Sequence, residues 1–446
     1  RALTTFYAVK WADSSDDLDA IDADYATKLA AHSDAIYLNP ALYQRLAALR
    51  ARADAREVTL DPEQSWLLDD LLATFTQNGV ALVDADKARL QTINARLAEL
   101  STEFDRTNLA ARNAGAITVT RDELDGLSPD DLVPLARPDG TFVIDLVNTS
   151  QHPLLEKLTN RDLRRRLYTA SVTRGLGFPD SDGVPTPDTR AIIVEIARLR
   201  AERATLLGFP NHAALVVERA CARTTDAVAA MLGRLAPAAL DQARRDEVVL
   251  KGRFAELYPG ETFAPWDWAY TAEIVRRERF NLDLDALAPH LAVEKVLRAV
   301  YQAAERLYGI TFTPRPDLRG HTVDAECFQV DNEDGSPLGL FVMDFWTRPT
   351  KQGGAWMNNI VEQSHLLGDL PVVTNNCNYA RGATTLTWDD VITMFHEFGH
   401  ALHGLLAASR YPSHSGANTP RDFVEFPSQV NEHWAWQPDA VIPAEW

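Results

Sequence analysis

Apolar residues recur through the first half of the chain with the period of an α-helix. Leu18, Ile21, Tyr25 and Leu29 follow at spacings of three and four, behind a Ser14/Asp17 pair that reads as a capping box. Asp61-Pro62 opens another helix, with proline at the first helical position, and Gly79 closes it. Leu90, Ile93, Leu97, Leu100 and Phe104 then alternate at three and four, a long amphipathic helix suited to an antiparallel helical hairpin. The β-branched runs 117–119 and 142–147 flank a Pro/Asp/Gly-rich stretch and predict a small β excursion. Helical signals resume as far as about residue 308, and the aromatic run Trp266-Asp267-Trp268-Ala269-Tyr270 inside them reads as core packing. Beyond residue 310 the period changes. Runs 310–312, 326–330 and 338–344 read as strands, the last two joined across Asp334-Gly335, and Gly353-Gly354-Ala355-Trp356 follows.

Composition narrows the classes. At 446 residues the chain exceeds the ~250–300 at which a single core stops growing, so two or more lobes are expected. Lys and Arg number 44 against 63 Asp and Glu, a net charge of −19 that repels duplexes and anionic lipid, so neither nucleic acid nor membrane is an expected partner. No stretch approaches the ~18 uncharged apolar residues of a bilayer span. Cys221, Cys327 and Cys377 are far apart and form no CxxC pair, which argues against a disulfide framework or a thiolate metal site. A reducing, cytoplasmic setting fits best. The start at Arg1 instead of Met leaves a periplasmic or exported setting open.

One segment carries chemistry. Thr387 to His403 contains H-E-x-x-H as His396-Glu397-Phe398-Gly399-His400, and Thr387 with Asp390 forms a capping box that starts a helix. At 100° per residue, Val391, Phe395, Phe398 and Leu402 share a roughly 60° arc, and His396, His400 and His403 lie on another face about 150° away. His396 and His400, one turn apart, can hold one ion, with Glu397 beside them to act on a bound water. Gly399 breaks the local helical rule, at about 1 kcal/mol relative to Ala, and marks a packing or functional accommodation. A catalytic zinc needs a third protein ligand. A further His-x-x-Gly-x-x-His pattern would need Gly at 403 and His at 406, where His403 and Leu406 stand. A second helix is expected to start at Thr419-Pro420-Arg421-Asp422, and Glu425, one turn in among Phe423, Val424 and Phe426, is a carboxylate in need of a cation. Glu425 is the first choice for the third ligand. Glu432 and His433 are lesser alternatives, because Pro427 is expected to kink or end the stretch before them.

The run FHEFGHALHGLL followed by SGANTPRDFVEFPSQVNEHW resembles the M3 family of zinc metallopeptidases, supported by the segments PWDWAYTAEIVRRERFNLD and GGAWMNNIVEQS. The resemblance covers essentially the whole chain and is greatest to members that release C-terminal dipeptides; an endo-acting oligopeptidase is the alternative. It implies a mainly α, two-lobed metallopeptidase with a deep channel and a small β-sheet next to the zinc helix. Residues 1–320 would form the mostly helical part and 321–446 the first part of the zinc domain. It implies one zinc held by His396, His400 and Glu425, with Glu397 as the catalytic carboxylate. It also implies substrate contact by Gly354, Ala355 and Trp356 on an edge strand. Asp422 and His403 are the candidates for support around the metal ligands. The implied partners are short peptides, and the chain is expected to act as a monomer. Family members continue past the position of Trp446 with Tyr and His donors, so this sequence is expected to be a fragment that binds zinc and is essentially inactive alone.

Overall fold

The structure is a computed structural model that describes residues 1–146, 148–179, 183–280, 285–438 and 440–441. It is mostly helical. Its contacts divide the chain into two compact units, neither continuous in sequence: Arg1–Ser14 with Ala111–Thr186 and Met231–Trp446, and Ser15–Ala110 with Pro187–Ala230. The boundary expected near residue 320 falls inside the first of these.

The second unit is helical. Its longest element, Asp84–Ala114, buries Leu90, Ile93 and Leu100 as the three–four alternation predicts. Arg89 and Arg96 on its flank pair with Glu202 and Glu195 of the helix Arg190–Leu206 at 2.6 and 2.7 Å. The helix Pro62–Gln77 has the Asp61 cap, and Gly79 follows with φ +92°. The helix Asp16–Tyr37 departs from expectation in two ways. Ser15, not Ser14, caps it, because the Ser14 amide is drawn to the Thr350 carbonyl at 2.9 Å. Its inner face is Asp22, Ala26 and Asp34, with Asp34 accepting from Asn94 at 2.7 Å, and Ile21 and Tyr25 are exposed.

The first unit holds both sheets. β1 (Ile117–Val119) and β2 (Phe142–Ile144) form the expected antiparallel excursion; residue 147 lies outside the described residues. Within Trp266 to Tyr270 the buried centre is Asp267, which binds Arg161 twice at 2.9 Å and Arg164 at 3.2 Å. The larger sheet contains β3 (Thr311–Pro314), β4 (Glu326–Asp331), β5 (Pro337–Trp346), β6 (Trp356–Val361) and β7 (Val372–Tyr379), in the order β3-β4-β5-β7-β6. The β4–β5 hairpin turns at Asp334-Gly335. β5 and β7 run parallel, and the connection between them carries β6 out to the sheet edge, antiparallel to β7.

One face of this sheet is apolar. Phe328, Phe341, Met343 and Phe345 pack with Val296 and Val300 of the helix Val293–Tyr308 and with Val391, Phe395 and Phe398 of the helix Trp388–Leu405. Side chains alternate along a strand, so Asp344 and Asn376 point to the opposite face. There Asp344, fully buried, binds Arg348 at 3.0 and 2.6 Å and Lys351 at 3.1 Å.

Candidate metal centre

The helix Trp388–Leu405 starts as the sequence predicts. Thr387 Oγ1 accepts from the Asp390 amide at 3.1 Å, and Asp390 Oδ2 accepts from the Thr387 amide at 3.0 Å. Val391, Phe395, Phe398 and Leu402 are all buried. With that arc pinned to the sheet, His396 and His400 project on the adjoining face with ring centroids 5.0 Å apart.

The second helix runs Glu425–Glu432 and starts later than expected. Residues 420–424 form a turn in which the amides of Phe423 and Val424 both reach the Pro420 carbonyl, at 2.8 and 3.1 Å. Pro427 neither kinks nor ends the helix, because it lies in the first turn, where its missing N–H has no intrahelical partner to lose. Glu425 is therefore the first helical residue, and Glu432 is two turns further on the same side.

The two helices cross at Gly399. A Cβ there would lie 2.7 Å from Ser428 Cα and 2.8 Å from Asn431 Cβ, distances that real side chains do not tolerate. Asn431 Nδ2 donates to the Phe395 carbonyl at 2.6 Å and fixes the crossing. The glycine that violates helix propensity is thus required by packing.

This crossing brings together three donor atoms. Glu425 Oε2 lies 3.1 Å from His396 Nε2 and 3.0 Å from His400 Nε2, and one ligand atom from each of the three residues lies within 4.8 Å of the other two. Tetrahedral zinc with bonds of about 2.0–2.1 Å separates its ligand atoms by roughly 3.3 Å, so the donor set and its spacing fit that ion. Among the described residues no other His/Cys/Asp/Glu group converges in this way. Ser428 Oγ donates to Glu425 Oε2 at 3.1 Å and steadies the carboxylate. The charge of His400 and this hydroxyl outweigh partial burial and hold Glu425 below the usual glutamate range. Burial lowers the pKa values of His400 and His403, against the raising pull of Glu425 at His400.

Glu397 is 5% exposed, and its Oε2 has no hydrogen-bond partner. Burial, together with the nearby Glu425 charge and against the pull of His396, pushes it up to about 7. It is a carboxyl poised to exchange a proton near neutral pH.

Around this centre the residues expected in support fall as follows. Glu432, weighed above only as a lesser ligand, accepts from or donates to His396 Nδ1 at 2.7 Å, so it orients the ring from behind. The signal was available: 425 and 432 are seven apart, two turns on one helix face. Asp422 is exposed in the turn that precedes the helix. His403 is half-buried, with its Nδ1 unpartnered, and is outside the converging group. Trp356 opens the edge strand β6, Ala355 packs on the core, and Gly354 takes φ +84° in the turn. That turn is clamped by Asn378 Nδ2, which donates to the Gln352 and Gly354 carbonyls at 2.7 and 2.6 Å. β7 itself was not anticipated in the sequence.

The sequence profile of peptidase family M3 matches residues 154–442. The chain belongs to peptidase family M3. It is 39% identical to dipeptidyl carboxypeptidase of Escherichia coli (strain K12) over 450 residues, covering 98% of this chain and 65% of that protein. The dipeptidyl carboxypeptidase of Salmonella typhimurium is 40% identical over the same shares. Oligopeptidase A of Escherichia coli (strain K12) is 31% identical over 86% of this chain and 58% of its own length. The chain therefore spans 65% of the length of the two dipeptidyl carboxypeptidases and 58% of that of oligopeptidase A. The fold agrees with the family expectation in being mainly α with a small sheet against the H-E-x-x-H helix. Membership implies a metal, for which His396, His400 and Glu425 are the fitting residues. No helix among the described residues is long and apolar enough to cross a membrane.

Proposed function

We propose that this chain is the metal-bearing part of a zinc peptidase that hydrolyses short oligopeptides and releases C-terminal dipeptides. The observation that carries the reading is the convergence of two imidazole nitrogens and one carboxylate oxygen beside a buried, unpartnered Glu397. The choice of dipeptide release over endo-cleavage follows the two dipeptidyl carboxypeptidases to which the chain is 39–40% identical.

One zinc per chain, bound by His396, His400 and Glu425, would supply Lewis acidity to the scissile carbonyl and acidity to a water. The residues do the rest. Glu432, by holding Nδ1, would leave the His396 Nε2 lone pair free to bind the metal. Ser428 keeps Glu425 Oε2 in register. Glu397 takes a proton from the attacking water and passes it to the leaving amine. The outer edge of β6, with Gly354, Ala355 and Trp356 at its start, offers backbone groups to an extended peptide.

Metal analysis of the purified protein should give one zinc, and His400→Ala should lose it; equal content in both would reject the site. In the intact enzyme Glu397→Gln should retain zinc and lose at least ~10²-fold in kcat on a peptide with a free C-terminus. Blocking that C-terminus should abolish cleavage. Equal rates on blocked and free peptides would assign the endo-acting reading.

A further inference from the structure

The segment from Arg348 to Ala355 joins the end of β5 to the start of the edge strand β6, and it is held by its carbonyls. Donors from distant parts of the first unit take them one after another. Arg112 is buried and donates to the carbonyls of Arg348, Pro349 and Lys351 at 3.4, 3.0 and 2.7 Å. Asn113 Nδ2 adds a second bond to the Pro349 carbonyl at 3.1 Å, and the Ser14 amide takes that of Thr350 at 2.9 Å. Asn378 Nδ2 takes those of Gln352 and Gly354 at 2.7 and 2.6 Å. Lys351, fully buried, ties the segment back to β5. Its Nζ donates to the carbonyls of Asp344 and Trp346 at 3.1 and 3.2 Å and pairs with Asp344 Oδ1 at 3.1 Å.

The amides of the same segment divide into two groups. Those of Lys351 and Gln352 are bonded, to the carbonyls of Arg348 and Trp11 at 3.1 and 2.9 Å. Among the described residues, those of Gly353, Gly354 and Ala355 donate to no protein group. Gly353 and Gly354 are exposed. A Cβ on Gly354 would meet nothing within 4 Å, so packing does not demand that glycine; its left-handed φ of +84° does. The cage thus consumes acceptors and leaves donors. A backbone with saturated carbonyls and free N–H groups is matched by an oxygen acceptor, such as a carbonyl of an extended peptide.

We propose that Arg112 and Asn378 are positioning residues for peptide binding: neither touches the peptide, and together they fix the turn so that the free amides of residues 353–355 meet a peptide carbonyl at the entrance to β6. The inference rests on the peptidase reading above. Arg112 suits the task because a planar guanidinium reaches three carbonyls at once, which an ammonium on a flexible stem does not. Asn378 suits it because a single amide nitrogen bridges the two carbonyls that flank Gly353.

The test is steady-state cleavage of an unblocked peptide by the zinc-loaded intact enzyme, with amide hydrogen exchange read over residues 351–361. Asn378→Asp keeps the side chain's size and places an acceptor where two carbonyls need a donor. Arg112→Lys keeps the charge and loses the fork. Each should raise KM on the order of tenfold, leave kcat within about twofold, retain zinc, and speed exchange at the Lys351 and Gln352 amides. A purely structural role moves different quantities, because a smaller folded fraction lowers kcat and leaves KM alone. If one variant fails to fold, the other decides. Cleavage by wild type with KM unchanged in the folded variants, or with exchange unchanged, would overturn the proposal and leave the peptidase reading standing. A wild type that cleaves no peptide would defeat the peptidase reading and the peptide contact with it, and faster exchange in the variants would then mark the cage as structural only.

Discussion

The two faces of the five-stranded sheet bury charge in opposite ways. On the face away from the metal helix, Asp344 is wrapped by Arg348, Lys351 and His321. Burial works to raise its pKa, but the hydrogen bonds of His321 and Arg348 and the Lys351 charge win and hold it far below the usual aspartate range. On the metal-helix face, Asp390 is almost as buried, yet no cation among the described residues pairs with it. Burial pushes it up to about 6 despite the Thr387 amide and hydroxyl. A capping carboxylate and an ion-paired carboxylate can thus have the same solvent exposure and opposite protonation behaviour. The partner's charge decides, not depth.

The largest test of this contrast is Asp344→Asn. It leaves Lys351 and Arg348 as buried cations short of a partner and should cost about 3–5 kcal/mol in a denaturant titration. A cost under ~1 kcal/mol would show that water or other groups compensate them. On the helix face, Asp390→Asn keeps the cap's size and removes a charge that is disfavoured when buried, so its cost should stay below ~1 kcal/mol.

Acidity separates the same two residues. Asp344 has its pKa depressed in the folded state, so its stabilisation is present above the ordinary carboxylate range and is lost as pH falls below about 4. Asp390 has its pKa raised, so its contribution is present below the ordinary range and is lost as pH rises through about 6. Stability of Asp344→Asn should therefore depend less on pH at the acid end than wild type. Asp390→Asn should differ from wild type mainly above pH 6.

Two smaller changes probe the helix face. Gly399→Ala inserts a methyl where Ser428 and Asn431 stand and should cost about 1–3 kcal/mol, lowering zinc affinity as the second helix is pushed away. Glu432→Gln keeps a hydrogen bond to His396 but removes the negative charge, and zinc affinity measured by chelator competition should fall about 10–100-fold. An unchanged affinity would restrict Glu432 to packing.

Much of the helix face was legible in the sequence because its signals are local. The Thr387/Asp390 box, the apolar arc at Val391, Phe395, Phe398 and Leu402, and the imidazole face all follow from one period. Even the anomaly at Gly399 was visible as an anomaly. The opposite face was not legible. β7 carries Asn375, Asn376 and Asn378, residues that strands disfavour. For Asn376 and Asn378 the compensation is remote in sequence: His321 Nε2 meets Asn376 at 3.0 Å, and Asn378 clamps the 352–354 turn. The late start of the Glu425–Glu432 helix was hidden for a related reason, since Thr419-Pro420 has the chemistry of a helix start and yields only a turn. Pro427 has the look of a breaker until the true first turn is known.

The contact at Gly399 also acts as a fulcrum. Two rods that touch at one point and rock against each other displace their parts in proportion to distance from that point. His400 is the next residue along one rod, and Ser428, which holds Glu425, is part of the contact on the other. A tilt about that contact would displace Trp388, the more distant end of the long helix, far more than it would change the gap between His400 and Glu425. The centre's tolerance is therefore set by leverage: donors on so short an arm keep their spacing when distant parts of the helices shift.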